Sequence, residues 1–236
     1  MSHLHAMPHL HAIKLRRCIA WSVLGIFAVL LTGCEGCRQE AREQYYLQWE
    51  KLGREKREML VRRVGKARGA QEDAQEQFED ALEQFQALVG HQGTDLEKMY
   101  DKLEGEYDDA SSRAEEVRQR IVKVENVATA LFEEWREEIA QFDNPTYKRD
   151  SETKLRETKA RYDQLLAAMH RASKSMDPVL DKLRDQVLFI KHNLNAQALG
   201  SLEGQANLLE ADVSQLVEDM QSSIQEAEQF IADMSG

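Results

Sequence analysis

The stretch LEKMYDKLEGEYDDASSRAEEVRQRIVKVENVATALFEEWREEIAQF, residues 96–142, decides the fold, because its apolar side chains recur at alternating steps of four and three. One register is Tyr100, Tyr107, Ala114, Ile121, Ala128, Trp135 and Phe142; the other is Leu96, Leu103, Ala110, Val117, Val124 and Leu131. This is a heptad seam along one long helix. Such a helix cannot cover its own apolar stripe, so the segments on either side must be helices that pack along it.

Working outward, the preceding segment carries Val64, Ala67, Ala74, Phe78, Ala81, Phe85 and Leu88 at the same spacing, after a phase slip between Leu52 and Leu60. Gly90-His91-Gln92-Gly93 reads as its end, with glycine taking the left-handed conformation after a C-cap. Thr94 with Glu97 reads as a capping box for the next helix. A turn this short makes the two helices antiparallel, and alanines at Ala110, Ala114 and Ala128 allow close approach.

Downstream, Asp143-Asn144-Pro145 combines a turn former, an N-cap residue and a proline suited to the first helical position. The third helix shows Leu155, Tyr162, Met169, Met176, Leu183 and Ile190 seven apart, flanked by Leu166, Leu180, Val187 and Leu194. Pro178 falls inside this phase and predicts a kink with the direction kept, a true break being the alternative. Residues 195–204 form the last turn, and Leu209, Val213, Leu216, Met220, Ala227 and Phe230 mark a shorter fourth helix. The expectation is an all-α fold: an elongated antiparallel bundle or coiled coil of three to four long helices, with residues 43–236 as the bundle domain and a body about 70 Å long.

Composition agrees with a thin bundle core. Of 236 residues 31% are charged and 7% aromatic, with three prolines and twelve glycines. Residues 34–236 hold 28 basic against 42 acidic side chains, and an acidic body of that kind argues against general nucleic-acid binding.

Residues 1–33 read as a processing signal: basic Lys14, Arg16 and Arg17, then an uncharged run from Cys18 to Leu31. That run has 14 residues, where a bilayer span needs roughly 20. It ends in Leu31-Thr32-Gly33-Cys34, which resembles the lipobox of bacterial lipoproteins. The resemblance implies a cleaved signal peptide, a diacylglycerol thioether on Cys34, further acylation of the new N-terminus, and residues 34–42 as a lipid-anchored tether. Two or three acyl chains anchor durably where one does not. Glu35 in place of aspartate implies, by the enterobacterial sorting pattern, the outer membrane ahead of the inner. Lipidation consumes one sulfur of the Cys34-Glu35-Gly36-Cys37 pair, which argues against redox or zinc chemistry there. The histidines at 3, 5, 9 and 11 leave with the leader.

Two further segments, Tyr45-Tyr46-Leu47-Gln48-Trp49-Glu50-Lys51-Leu52-Gly53 and Asp185-Gln186-Val187-Leu188-Phe189-Ile190-Lys191-His192-Asn193-Leu194-Asn195, resemble an uncharacterised family of proteobacterial lipoproteins known as a domain of unknown function. The resemblance implies location and class, and brings no activity, cofactor or catalytic residue.

Candidate sites are few. A basic run, Lys51 with Arg54, Lys56, Arg57, Arg62, Arg63, Lys66 and Arg68, suits anionic lipid headgroups or another polyanion. Its plainer reading is charge pairing with a neighbouring helix, near Glu115, Glu116, Glu125 and Glu133. Lys191, His192, Asn193 and Asn195 form the best candidate binding surface, although such residues also cap helix ends. Glu133-Glu134 and Glu137-Glu138 read as a solvated face. No metal-ligand spacing, phosphate loop or nucleophile motif appears, so no catalytic residue, metal or cofactor is expected.

The functional expectation is a lipid-anchored periplasmic scaffold or adaptor of the cell envelope, meeting an envelope protein or copies of itself. The alternative is a binding module that holds a small or lipidic ligand among Trp49, Trp135, Tyr100 and Tyr107.

Overall fold

The structure, a computed structural model, describes the backbone of residues 35–91, 95–193, 195 and 199–235, and side chains from Arg54 onward. The chain divides into two compact units, Met1–Leu52 and Gly53–Gly236, and the second holds the bundle. Residues 1–34, with the leader and Cys34, lie outside the described residues, as do the side chains of Cys37, Trp49 and Lys51.

Four long helices follow in order: α1, Glu35–Val89; α2, Leu96–Ala140; α3, Pro145–His192; and α4, Glu203–Ser235. Helix α1 starts early enough that the stretch read as a tether is helical from Glu35. Among the described residues there is no strand. Cross-links give the topology. Lys56 meets Glu134 and Gln77 meets Glu106 between α1 and α2, while Arg118 meets Asp177 and Glu104 meets Lys191 between α2 and α3. Arg161 meets Asp233 and Lys182 meets Asp212 between α3 and α4; Arg68 meets Glu228 and Gln86 meets Glu210 between α4 and α1. In every pair the numbers rise on one helix as they fall on the other, so the bundle runs up-down-up-down and closes on itself.

The core is the set of seams. Val64, Ala67, Ala74, Phe78, Ala81, Phe85 and Leu88 on α1 are fully buried, as are Leu103, Ala110, Ala114, Val117, Val124 and Ala128 on α2. On α3 the seven-residue register holds and Val187 of its companion is buried as expected, but Leu165, Ala172 and Val179 are buried too, while Leu166 and Leu180 sit only at the seam's edge. The inner face is centred one residue earlier than the larger leucines suggest, because α3 must meet α2 and α4 together. Phe142 is 39% exposed, because α2 ends at Ala140 and the backbone turns away before it.

The helix ends follow local chemistry. Asn144 caps α3, its side chain accepting from Thr146 N at 2.9 Å and Tyr147 N at 3.4 Å, with Pro145 at the first helical position. At the first turn the structure departs from the sequence reading. Gly90 is not left-handed, because its N–H still donates to Gln86 O at 3.0 Å. Asp95, not Thr94, precedes α2, and Thr94 and Gly93 lie outside the described residues. Helix α3 runs unbroken through Pro178, beside buried Met176 and Val179.

Candidate functional site

The basic run on α1 does not converge on one surface. Lys56 Nζ lies 3.0 Å from Glu134 and Arg57 places its guanidinium 5.6 Å from the centre of the Trp135 ring, both turned toward α2. Arg62 pairs with Glu58 on its own helix, Arg68 bridges Glu72 and Glu228, and Arg54 and Arg62 are exposed while Arg63 is half-buried. Helix pairing therefore accounts for Lys56, but not through the expected carboxylates. Glu115 faces Arg118, Glu116 faces Arg113 and Arg120, and Glu125 accepts from His170.

Helix α2 accounts for the difference. Its inner face stays largely apolar, with Leu131, Phe132 and Ile139 buried, but it also buries one ionic side chain, Glu134. Glu134 is 7% exposed and Glu138 half-buried, which corrects the reading of these glutamates as a solvated face; only Glu133 and Glu137 point to solvent. Burial, reinforced by the Glu134 charge, raises the Glu138 carboxyl above its ordinary range, against the pull of Arg57 and Lys56. Its Oε1 has no hydrogen-bond partner.

Helix α4 stops at Ser235, while α2 runs to Ala140 and α3 reaches back to Pro145. A recess of about 230 Å³ opens beside Trp135, lined by Arg57, Trp135, Lys154, Glu157, Arg161 and Asp233 among others. Trp135 Nε1 donates to Ser151 Oγ at 3.0 Å, and Arg161 binds Asp233 at 2.6 Å. Tyr100 and Tyr107 take no part, lying 28 or more residues away on the same helix, roughly 40 Å at 1.5 Å per residue. The expected four-aromatic cavity therefore does not form around Trp135.

At the far end, Tyr100 Oη donates to Glu104 at 2.6 Å and Lys191 Nζ donates to the same carboxylate oxygen at 3.3 Å. Asn193 ends α3, its N–H donating to Ile190 O at 2.9 Å and its Nδ2 to Phe189 O at 2.8 Å. Asn195 N donates to Asn193 O at 2.7 Å. Of the four candidate binding residues, Lys191 and Asn193 thus serve helix pairing and capping, while His192 and Asn195 are exposed.

The seam also contains a pair that the sequence reading passed over. Gln71 and Ser223 are both fully buried, and Ser223 Oγ donates to Gln71 Oε1 at 3.0 Å across α1 and α4. The signal was there: each fills the heptad position left open in its helix, between Ala67 and Ala74 and between Met220 and Ala227.

Among the described residues no three His, Cys, Asp or Glu side chains gather as metal ligands, and no helix is long and apolar enough to cross a membrane. His91 and His170 each meet one carboxylate, Asp95 at 2.7 Å and Glu125 at 2.8 Å.

These features define a class, the all-α antiparallel four-helix bundle with a packed seam and ionic cross-links between its helices. The chain belongs to the family described as "Protein of unknown function (DUF2959)", whose model matches residues 45–234. No curated protein and no solved structure matches it.

Proposed function

We propose that this protein is a lipid-anchored periplasmic scaffold or adaptor without enzymatic activity, held through Cys34 in the envelope, in the outer membrane ahead of the inner. One observation carries the non-catalytic half of the reading. Large side chains such as Phe78, Phe85, Leu103, Met169, Met176 and Leu183 fill the seam with no exposure, so the interior is committed to packing and the charged outer faces are left for recognition. The basic flank, apolar run and cysteine of residues 14–34 support the anchor. Self-association is the second form of the same role.

The test is in-cell photocrosslinking from exposed Ser112 on α2 and Lys174 on α3, followed by identification of what co-purifies with the detergent-solubilised protein. One dominant envelope protein, lost when Cys34→Ser frees the chain from the membrane, is the expected result. A Cys34→Ser protein that leaves the membrane and functions normally removes anchoring from the mechanism.

The recess beside Trp135 favours the ligand-binding alternative, although at about 230 Å³ it lies below the usual range for drug-sized ligands. A panel of lipids that raises the melting temperature of the wild type, and not of Trp135→Ala, would support that alternative.

A further inference from the structure

No loop joins helices α1 and α4 directly, so their mutual register rests on side-chain contacts and on the helices between them. Their seams are also weakly keyed at mid-length. Over the two heptads from Val64 to Phe78 the intervening α1 seam positions are Ala67, Gln71 and Ala74, and on α4 Ser223 lies between Met220 and Ala227. Small side chains make shallow knobs, and a slide of one heptad keeps every apolar residue facing inward.

Gln71 and Ser223 break that degeneracy. A one-heptad slide would set Gln71 against the Leu216 or Phe230 layer and Ser223 against the Val64 or Phe78 layer, leaving two buried polar groups without partners. The bond is not an optimum for stability, because Gln71 Nε2 remains buried with no acceptor. An apolar pair of similar size would satisfy the layer more fully.

We propose that the Gln71–Ser223 hydrogen bond is a register lock, which selects the observed pairing of α4 with α1 and disfavours pairings slid by one heptad. It gives up some stability for a single register, as one buried polar residue does in a coiled coil. The idea does not depend on the anchor or the adaptor role.

The experiment uses the full chain in detergent, comparing wild type, the apolar pair Gln71→Leu/Ser223→Ala, and the swapped pair Gln71→Ser/Ser223→Gln. The chains are unfolded, refolded and chemically crosslinked. Mass spectrometry then reads which residues the α1–α4 crosslinks join, in register or shifted by seven. The expected result for the apolar pair is a melting temperature about 2–4 °C higher, with heptad-shifted crosslinks rising at least threefold over wild type. The swapped pair should keep the wild-type pattern. An apolar pair that melts higher yet keeps only in-register crosslinks overturns the proposal. So does an apolar pair that fails to fold, since the lock is then a requirement of stability.

Discussion

At the scale of single residues, the two least ordinary environments are phenolic and ionic. Tyr162 packs edge-on to Phe132, with ring centres 5.3 Å apart, and stands 6.4 Å from Phe230. Burial, with Glu125 and Asp163 nearby, pushes its hydroxyl from 10.0 to about 12. A raised folded value means the fold prefers the neutral phenol. That contribution is complete below pH 10 and is lost as the pH rises from there toward 12. Tyr162→Phe should therefore change little at pH 7 and flatten the fall of the melting temperature above pH 10, leaving a smaller slope from Tyr100, which burial also raises. An unchanged alkaline slope in the variant would show that Tyr162 ionises freely in the fold. Lys56 is the cation beside buried Glu134, and Lys56→Met leaves that carboxylate without it, a loss of about 1–3 kcal/mol. Lys56→Met/Glu134→Leu should recover most of it, because an apolar pair carries no desolvation cost. Urea midpoints decide this, and a double variant no better than the single one would mean that Lys56 acts by packing alone.

At the scale of elements, α3 holds an exposed proline well inside its span. Pro178 has no N–H for the carbonyl of Lys174, and an interior proline costs about 3 kcal/mol relative to alanine. The neighbouring helices hold this segment in place: Arg118 binds Asp177 at 2.5 Å, Ser175 donates to Asp219, and Met176 and Val179 lie in the core. Tertiary packing has thus overridden a local break. Pro178→Ala should raise the denaturant midpoint by an amount equivalent to about 1–3 kcal/mol. No gain would mean that the freed carbonyl is already satisfied, or that the proline's restriction of the unfolded chain offsets its cost.

At the scale of the whole molecule, charge pairing is arranged so that acid loosens the bundle. Tyr100 Oη and then Lys191 hold Glu104 below its ordinary range, Arg120 does the same for Glu116, and a hydrogen bond to its own backbone followed by His91 does so for Asp95. A depressed carboxyl contributes stability that is present above its unfolded value, 3.8 or 4.5 here, and is lost as the pH falls through the lower folded one. Glu138 is raised and works in the opposite direction, gaining as it protonates. Three groups against one predict a melting temperature that falls below about pH 4.5, with a shallower fall in Tyr100→Phe, where Glu104 loses its main donor. A flat profile down to pH 3 would mean that these pairs are screened out in solution.

The sequence by itself determined the class, three to four long helices, their antiparallel order and nearly all of the buried seam on α1 and α2, because a helix with an apolar stripe must turn that stripe inward. It also determined the Asn144-Pro145 start of α3, since capping is local chemistry. The tertiary structure decided what depends on which helix faces which. It turned Glu134 inward, centred the α3 face on Leu165, Ala172 and Val179, and carried α3 through Pro178. It joined Gln71 to Ser223, 152 positions apart, and gathered Arg57, Trp135, Arg161 and Asp233 around one recess. Each of these is a contact between distant parts of the chain, and periodicity assigns a side chain to a face without naming what that face will meet.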